Sequence, residues 1–403
     1  MLRLPPSLTR RLRYGVAVTT LSLTPLPRPS WWPPSGWPPS SREASSREAL
    51  SGEALSVEAR VGSVVTTAAM SAARAAHTAT ALRDGRVLVA GGFTGEDNAV
   101  SGAELYDPAN GRFTPLPLMS TGRHSHTATR LPNGKVLIVG GYAAGSAVIG
   151  AAELFDPLTN RFTPAGALGA ARAGHVAVPL ANGTVLIAGG VGPKWSFLSS
   201  AELYDPATGR FTFTGDMTVA RESHAAVVLR DGSVLVVGGH RGRRAELVLY
   251  TSAERYDVAA GTFRKVGDMR VRRHKHDAVM LRDGRVLITG GTDERDMDGV
   301  YDSTELFDPA SATFTSGPAM VRARYKHNGT ALLLVDGQLL IAGGAAQAET
   351  FNPRTQTFTL VSGNSQMAGQ FSAVAPMADG GALITGGYDN KGGPRTSAWR
   401  YRP

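Results

Sequence analysis

The sequence predicts an all-β chain, a seven-bladed β-propeller whose ring is closed by an N-terminal strand. Three observations carry this. Paired glycines fall at Gly91-Gly92, Gly140-Gly141, Gly189-Gly190, Gly238-Gly239, Gly290-Gly291, Gly343-Gly344 and Gly386-Gly387, in steps of 49, 49, 49, 52, 53 and 43 residues. A period near fifty built from short strand signals is the mark of a propeller, one repeat per blade. A tight-turn dipeptide precedes each pair: Asp84-Gly85, Asn133-Gly134, Asn182-Gly183, Asp231-Gly232, Asp283-Gly284, Asp336-Gly337 and Asp379-Gly380. Such dipeptides supply the positive φ that two-residue hairpins need. Finally, the last repeat stops at Trp399-Arg400-Tyr401-Arg402-Pro403, one strand short, while Val64 to Met70 (VVTTAAM) aligns with the outermost strand at Phe113 to Met119. Pairing the two ends would remove open strand edges.

The repeat around residue 124 shows the four elements, named a to d from the inside outward. Arg123-His124-Ser125-His126 opens strand a, and Asn133-Gly134 turns the chain. Lys135 to Val139 runs back as strand b to the glycine pair. After a loop, Ala152 to Phe155 forms strand c, Asp156-Pro157 turns, and Arg161-Phe162-Thr163 forms strand d.

The double glycine after a β-branched strand, the Glu-x-aromatic-Asp stretch and a closing aromatic together resemble the Kelch repeat family. Bacterial Kelch-like proteins and the central domain of galactose oxidase carry similar repeats. The resemblance covers residues 60 to 403. It departs in one respect: where those repeats usually close on Trp, this chain has Phe113, Phe162, Phe211, Phe263, Phe314 and Phe358.

Upstream, residues 1–26 read as a signal or targeting segment: Arg3, Arg10, Arg11 and Arg13 precede a short apolar run, Tyr14 to Leu26. Residues 27–60 read as a disordered linker rich in Pro and Ser, with Trp31, Trp32 and Trp37 and a five-residue repeat from Ser41 to Arg60. This predicts secretion or a periplasmic, envelope-side location for a propeller spanning 61–403. No stretch reaches the roughly 20 apolar residues that span a bilayer.

Of the 403 residues, 48 are Gly and 24 Pro, and the formal charge of +9 is dispersed. That balance favours anionic partners without specifying nucleic acid. There is no cysteine, which excludes disulfides, thiolate metal sites and cysteine nucleophiles.

Internal repetition separates structure from function. A residue recurring in every blade serves folding; one unique to a blade is free to serve a ligand. Arg-x-x-His recurs at Arg74/His77, Arg123/His126, Arg172/His175, Arg221/His224, Arg273/His276 and Arg324/His327. A Glu opens strand c at Glu104, Glu153, Glu202, Glu254, Glu305 and Glu349. Blade seven loses all three, with Gly369, Ser372 and Trp399 in their places. The joint loss predicts Arg–Glu salt bridges; the other reading is an arginine ring around the channel that binds an anion. Six histidines on separate blades are not a coordination shell.

The d–a and b–c loops vary and should share one face, where function belongs. Blade one offers Phe93, Glu96 and Asp97, blade two His124 and Tyr142, and blade three Trp195 within Lys194 to Phe197. Blade four offers His240, Arg241, Arg243 and Arg244. Blade five offers His274 and Lys275 beside Asp293 to Asp298, blade six Tyr325 and Lys326, and blade seven Tyr388 and Asp389. The acidic run lacks the spacing of a calcium loop. The expected ligand site is therefore Arg241, Arg243, Arg244, His274, Lys275, Tyr325, Lys326 and Trp195, taking an acidic protein segment or an anionic glycan. No cofactor, metal or catalytic residue is assigned, and the protein is expected to be a monomer. The main expectation is a non-catalytic recognition propeller. Among Kelch-like enzymes, galactose oxidase needs copper and a Tyr–Cys cross-link, which a chain without cysteine lacks. A carbohydrate-active enzyme resembling sialic-acid mutarotases stays open as the alternative.

Overall fold

In the computed structural model, residues 62–95, 98–363, 366–367, 369–388 and 393–403 are described. The signal and linker segments, Glu96, Asp97 and Asp389 lie outside them. Blade one sets the pattern: Thr78–Ala81, Val87–Ala90, Ala103–Asp107 and Arg112–Pro115 form one antiparallel sheet in sequence order. Short-range pairing follows from the turns, since Gly85 takes φ +87° between strands a and b, a conformation open to glycine at little cost. Blades two to six repeat the order a-b-c-d. Each strand a touches strand a of the next blade, and the last touches the first, so seven sheets stand around one axis.

Strand b reads as an uninterrupted apolar run (VLVA, VLIV, VLIA, VLVV, VLIT) and is buried at every position in those blades. Both of its faces meet neighbouring blades. Leu88 and Ala90, for instance, share a core with Val136, Ile138 and Phe155 of blade two. Strand d is mostly exposed, as in Arg112–Pro115, and its phenylalanine leans inward onto the aromatic of strand c. Tyr106–Phe113, Phe155–Phe162 and Tyr204–Phe211 meet at 4.9, 5.1 and 4.8 Å between centroids. Phenylalanine thus does in these blades what the expected tryptophan would do.

The ring closes as predicted. Ser63–Thr66 pairs antiparallel with Ala398–Arg402, Val64 facing Tyr401 and Thr66 facing Trp399. Backbone bonds from Thr67 to Ala398 and from Met70 to Thr396 continue the seam beyond the strand. One element was not anticipated: Ser362–Gly363 adds a fifth strand to blade seven, parallel to Ser63–Thr66. It covers the edge that the N-terminal strand would otherwise leave open. Among the described residues there is no α-helix, and the only helical turns are four short 3-10 segments in b–c loops.

Candidate functional site

The loops of the variable face are anchored from below by the repeated ion pairs. Arg74–Glu104, Arg123–Glu153, Arg172–Glu202, Arg221–Glu254, Arg273–Glu305 and Arg324–Glu349 lie 2.7, 2.9, 2.9, 2.8, 3.2 and 2.7 Å apart, each within its own blade. All six arginines are fully buried, which excludes the channel-lining anion ring. Arg221 also donates from Nη1 to the carbonyls of Gly238 and Ser252, holding both roots of the b–c loop. The second oxygen of Glu254 accepts from the Thr218 N–H in the d–a connection. A buried carboxylate and guanidinium are tolerated here because nearly every polar atom is occupied.

In six of the seven blades the next residue on strand a lies on the upper face, because it bridges the residue after the glycine pair. Ala75 pairs with Phe93, His124 with Tyr142, Glu222 with His240, and His274 with Thr292. One residue further on, seven left-handed positions ring the axis: Ala76, Ser125, Gly174, Ser223, Lys275, Lys326 and Phe371, with φ between 49° and 61°. Six of the seven junctions are closed by an N–H to carbonyl bond of 2.8 to 3.0 Å from one blade to the next. The histidine after each of the first six turns away from ligands. His126, for example, lies where a Cβ on Gly91 of the preceding blade would stand 2.6 Å from its Cε1. His77, buried and beside the Arg74 cation, is driven down to about 3 and stays neutral.

The predicted ligand residues do not form one patch. Arg241, Arg243, Arg244 and Trp195 are exposed. Trp195 and Arg243 stack, the guanidinium 3.1 Å from a ring centroid. With Phe197 and Glu246, Trp195, Arg241 and Arg243 line an open groove of about 640 Å³ between blades three and four. The other four expected residues lie inward. Lys275 pairs with Asp296 at 2.8 Å, so the acidic loop neutralises it. Lys326 donates to Tyr388 Oη at 2.8 Å and Gln370 Oε1 at 3.3 Å. His274 and Tyr325 are buried, and the His274 ring meets His240 edge-on at 4.8 Å. Burial drives His274 down to about 3 and His240 to about 4, so neither carries charge at neutral pH. Two more acidic side chains of that run are engaged, Asp293 by Arg295 and Glu294 by Arg272. Among the described residues no group of three or more His, Asp or Glu is placed to hold a metal ion.

Sequence reasoning missed Glu222. Its carboxylate lies at the axis, buried, with His240 Nε2 3.6 Å away. Burial pushes it up to about 7, against the pull of Arg243 and Lys275. The signal was present: at the position after the strand-a arginine the other blades carry Ala75, His124, Ala173, His274 and Tyr325, so this carboxylate is unique to blade four. Glu222 lines an axial cavity of about 210 Å³ together with Ser125, Ser223, Lys326, Asn328 and four strand-a histidines.

A family model for the Kelch motif matches residues 74–120, 172–218 and 223–270. Among solved structures, a fungal alcohol oxidase of the AA5 family in complex with copper is similar in fold. Its TM-score is 0.68 at 15% identity, over 85% of this chain and 76% of that one. No curated protein sequence matches the chain.

Proposed function

Since the chain is a Kelch-repeat β-propeller, we propose that it is a non-catalytic recognition module whose d–a and b–c loops bind an acidic protein segment or an anionic glycan. The observation that carries this reading is the groove of Trp195, Arg241 and Arg243, with Arg244 beside it. Lys275 and Arg272 are matched by carboxylates. Among the described residues, none of the three blade-four arginines forms an ion pair with one. A guanidinium seated over an indole is already oriented, so less rotamer entropy is lost when its fork meets a carboxylate or sulfate. Exposed aromatic and arginine side chains sharing one concavity are the usual composition of a binding hot spot. Tyr325, Lys326, His274 and the Lys275–Asp296 pair lie inward of this groove and are not part of it.

The test is the double variant Arg241→Glu/Arg243→Glu, measured against heparin and poly-L-glutamate over a salt series. Affinity should fall by at least ~10-fold while the melting temperature is retained, and binding by the parent protein should weaken as salt rises. Binding unchanged by the charge reversal, or indifferent to salt, would show that the arginines are only a solvated rim.

A further inference from the structure

The inner ring of backbone bonds is broken at one place. Ser125 donates to Ala76, Gly174 to Ser125, Lys275 to Ser223, Lys326 to Lys275, Phe371 to Lys326 and Ala76 to Phe371. No such bond joins Ser223 to Gly174, and it is at this junction that Glu222 enters the axial cavity. Gly174 is the one ring position without a side chain. A Cβ there would stand 2.7 Å from Glu222 Oε1, so the glycine makes the cradle in which the carboxylate sits.

The surroundings leave that carboxylate without a direct cationic partner. Lys275 is spent on Asp296, Arg243 lies on Trp195, and Lys326 donates to Tyr388 and Gln370. His240, its nearest ring, is neutral. Apart from Glu222 and from Lys326, whose ammonium is held by Tyr388 and Gln370, the rest of the cavity wall is a set of neutral groups. His77, His126, His175 and His224 line it with neutral rings whose unpartnered Nδ1 atoms are shielded from the space itself. Ser125, Ser223 and Asn328 add donors and acceptors, and Phe371 adds an apolar face. At about 210 Å³, the space is smaller than the roughly 300–1,000 Å³ typical of drug-sized pockets. It suits a molecule of monosaccharide size.

We infer that the axial cavity binds one small polyhydroxylated primary amine, an amino sugar by class, with its ammonium on the Glu222 carboxylate and its hydroxyls among Ser125, Ser223 and Asn328. A buried carboxylate is stabilised most by a cation that also donates hydrogen bonds. A buried carboxylate left without a cation is what makes such a site reject a ligand that lacks the amine. This site is distinct from the blade-four groove, although Arg243 of the groove lies near enough to pull on Glu222.

Calorimetric titration of the whole protein with D-glucosamine, N-acetyl-D-glucosamine and D-glucose near neutral pH tests the inference. D-Glucosamine should bind at least ~10-fold more tightly than either of the others, because acetylation and loss of the amine both remove the cation. Glu222→Gln should abolish that preference, whereas Arg241→Glu/Arg244→Glu should leave it intact, which separates this site from the acidic-ligand groove. Equal affinity for the three sugars, no binding by D-glucosamine, or a preference that survives Glu222→Gln would each overturn the inference. Saturation-transfer NMR on the unaltered protein with the same three sugars gives the answer even if the Gln variant fails to fold.

Discussion

Replacing Arg221 by alanine tests the idea that the six ion pairs hold the blades together rather than serve a ligand. The guanidinium donates to Gly238 O at 2.7 Å, Ser252 O at 3.0 Å, Ser252 Oγ at 3.0 Å and Glu254 Oε1 at 2.8 Å. Both side chains of the pair are 0% exposed. Without Arg221, Glu254 stays buried and charged, with the Thr218 N–H at 2.7 Å as its remaining donor. Stranding a buried charge in this way costs about 3–5 kcal/mol. Spread over a propeller of roughly 340 residues, at an unfolding entropy of about 2.1 cal/mol/K per residue, a loss of ~4 kcal/mol lowers the melting temperature by about 6 °C. Circular dichroism followed through thermal and urea denaturation measures both quantities. Adding Glu254→Gln should recover part of the loss, because the charge disappears while the amide oxygen still accepts from Thr218. Blade seven displays the same logic: Trp399 replaces the glutamate and packs in the apolar cluster with Val64 and Met367. A cost under about 1 kcal/mol for Arg221→Ala, or no recovery in the double variant, would refute the reasoning.

Two more outcomes follow from the same packing. A chain beginning at Thr67 rather than at Glu58 loses Ser63–Thr66, the partner of both Ala398–Arg402 and Ser362–Gly363. It should melt well below the longer one and self-associate in sedimentation, and equal melting temperatures would show that the seam contributes nothing. Acid should destabilise the protein. His77, His175 and His327 are held near 3 by burial, and His126, His224 and His276 well below their usual value, so below about pH 6.5 only the unfolded chain takes up those protons. On going from pH 7.5 to 5.5, six such groups cost up to about 8 kcal/mol of stability. Glu222, raised to about 7, and Asp277, raised to about 6, bind protons in the native state over the same window and return about 2–3 kcal/mol. The melting temperature should therefore fall across this interval, and a flat or rising profile would contradict the burial of the histidine ring.

The blade count, the strand order, the N-terminal closure and the Arg–Glu pairing could all be read from the sequence. All but the closure are local signals repeated six or seven times, such as an Asp-Gly or Asn-Gly turn, an apolar run of strand-b length or a glycine pair; the closure was read from a strand missing at one end of the repeat and spare at the other. Repetition averages out the ambiguity of any one copy. The joint loss of arginine and glutamate in blade seven worked in the same way, because it exposed a contact through its absence.

What repetition could not supply was anything made once. The expected cationic cluster on blades four to six was counted correctly in residues and wrongly as a field. Whether Lys275 is free or paired with Asp296, and whether Arg243 faces solvent or lies on Trp195, depends on loop conformations that occur in single copies. The fifth strand at Ser362–Gly363 pairs with a segment almost 300 residues earlier, which no local pattern marks. Glu222 was visible as an odd residue in the repeat, but its burial required Gly174 of the neighbouring blade to leave it room. Interactions within a blade are close in sequence and written into its period. Those between blades depend on the ring as a whole, because only closure brings seven unlike loops to one axis and settles which charges meet.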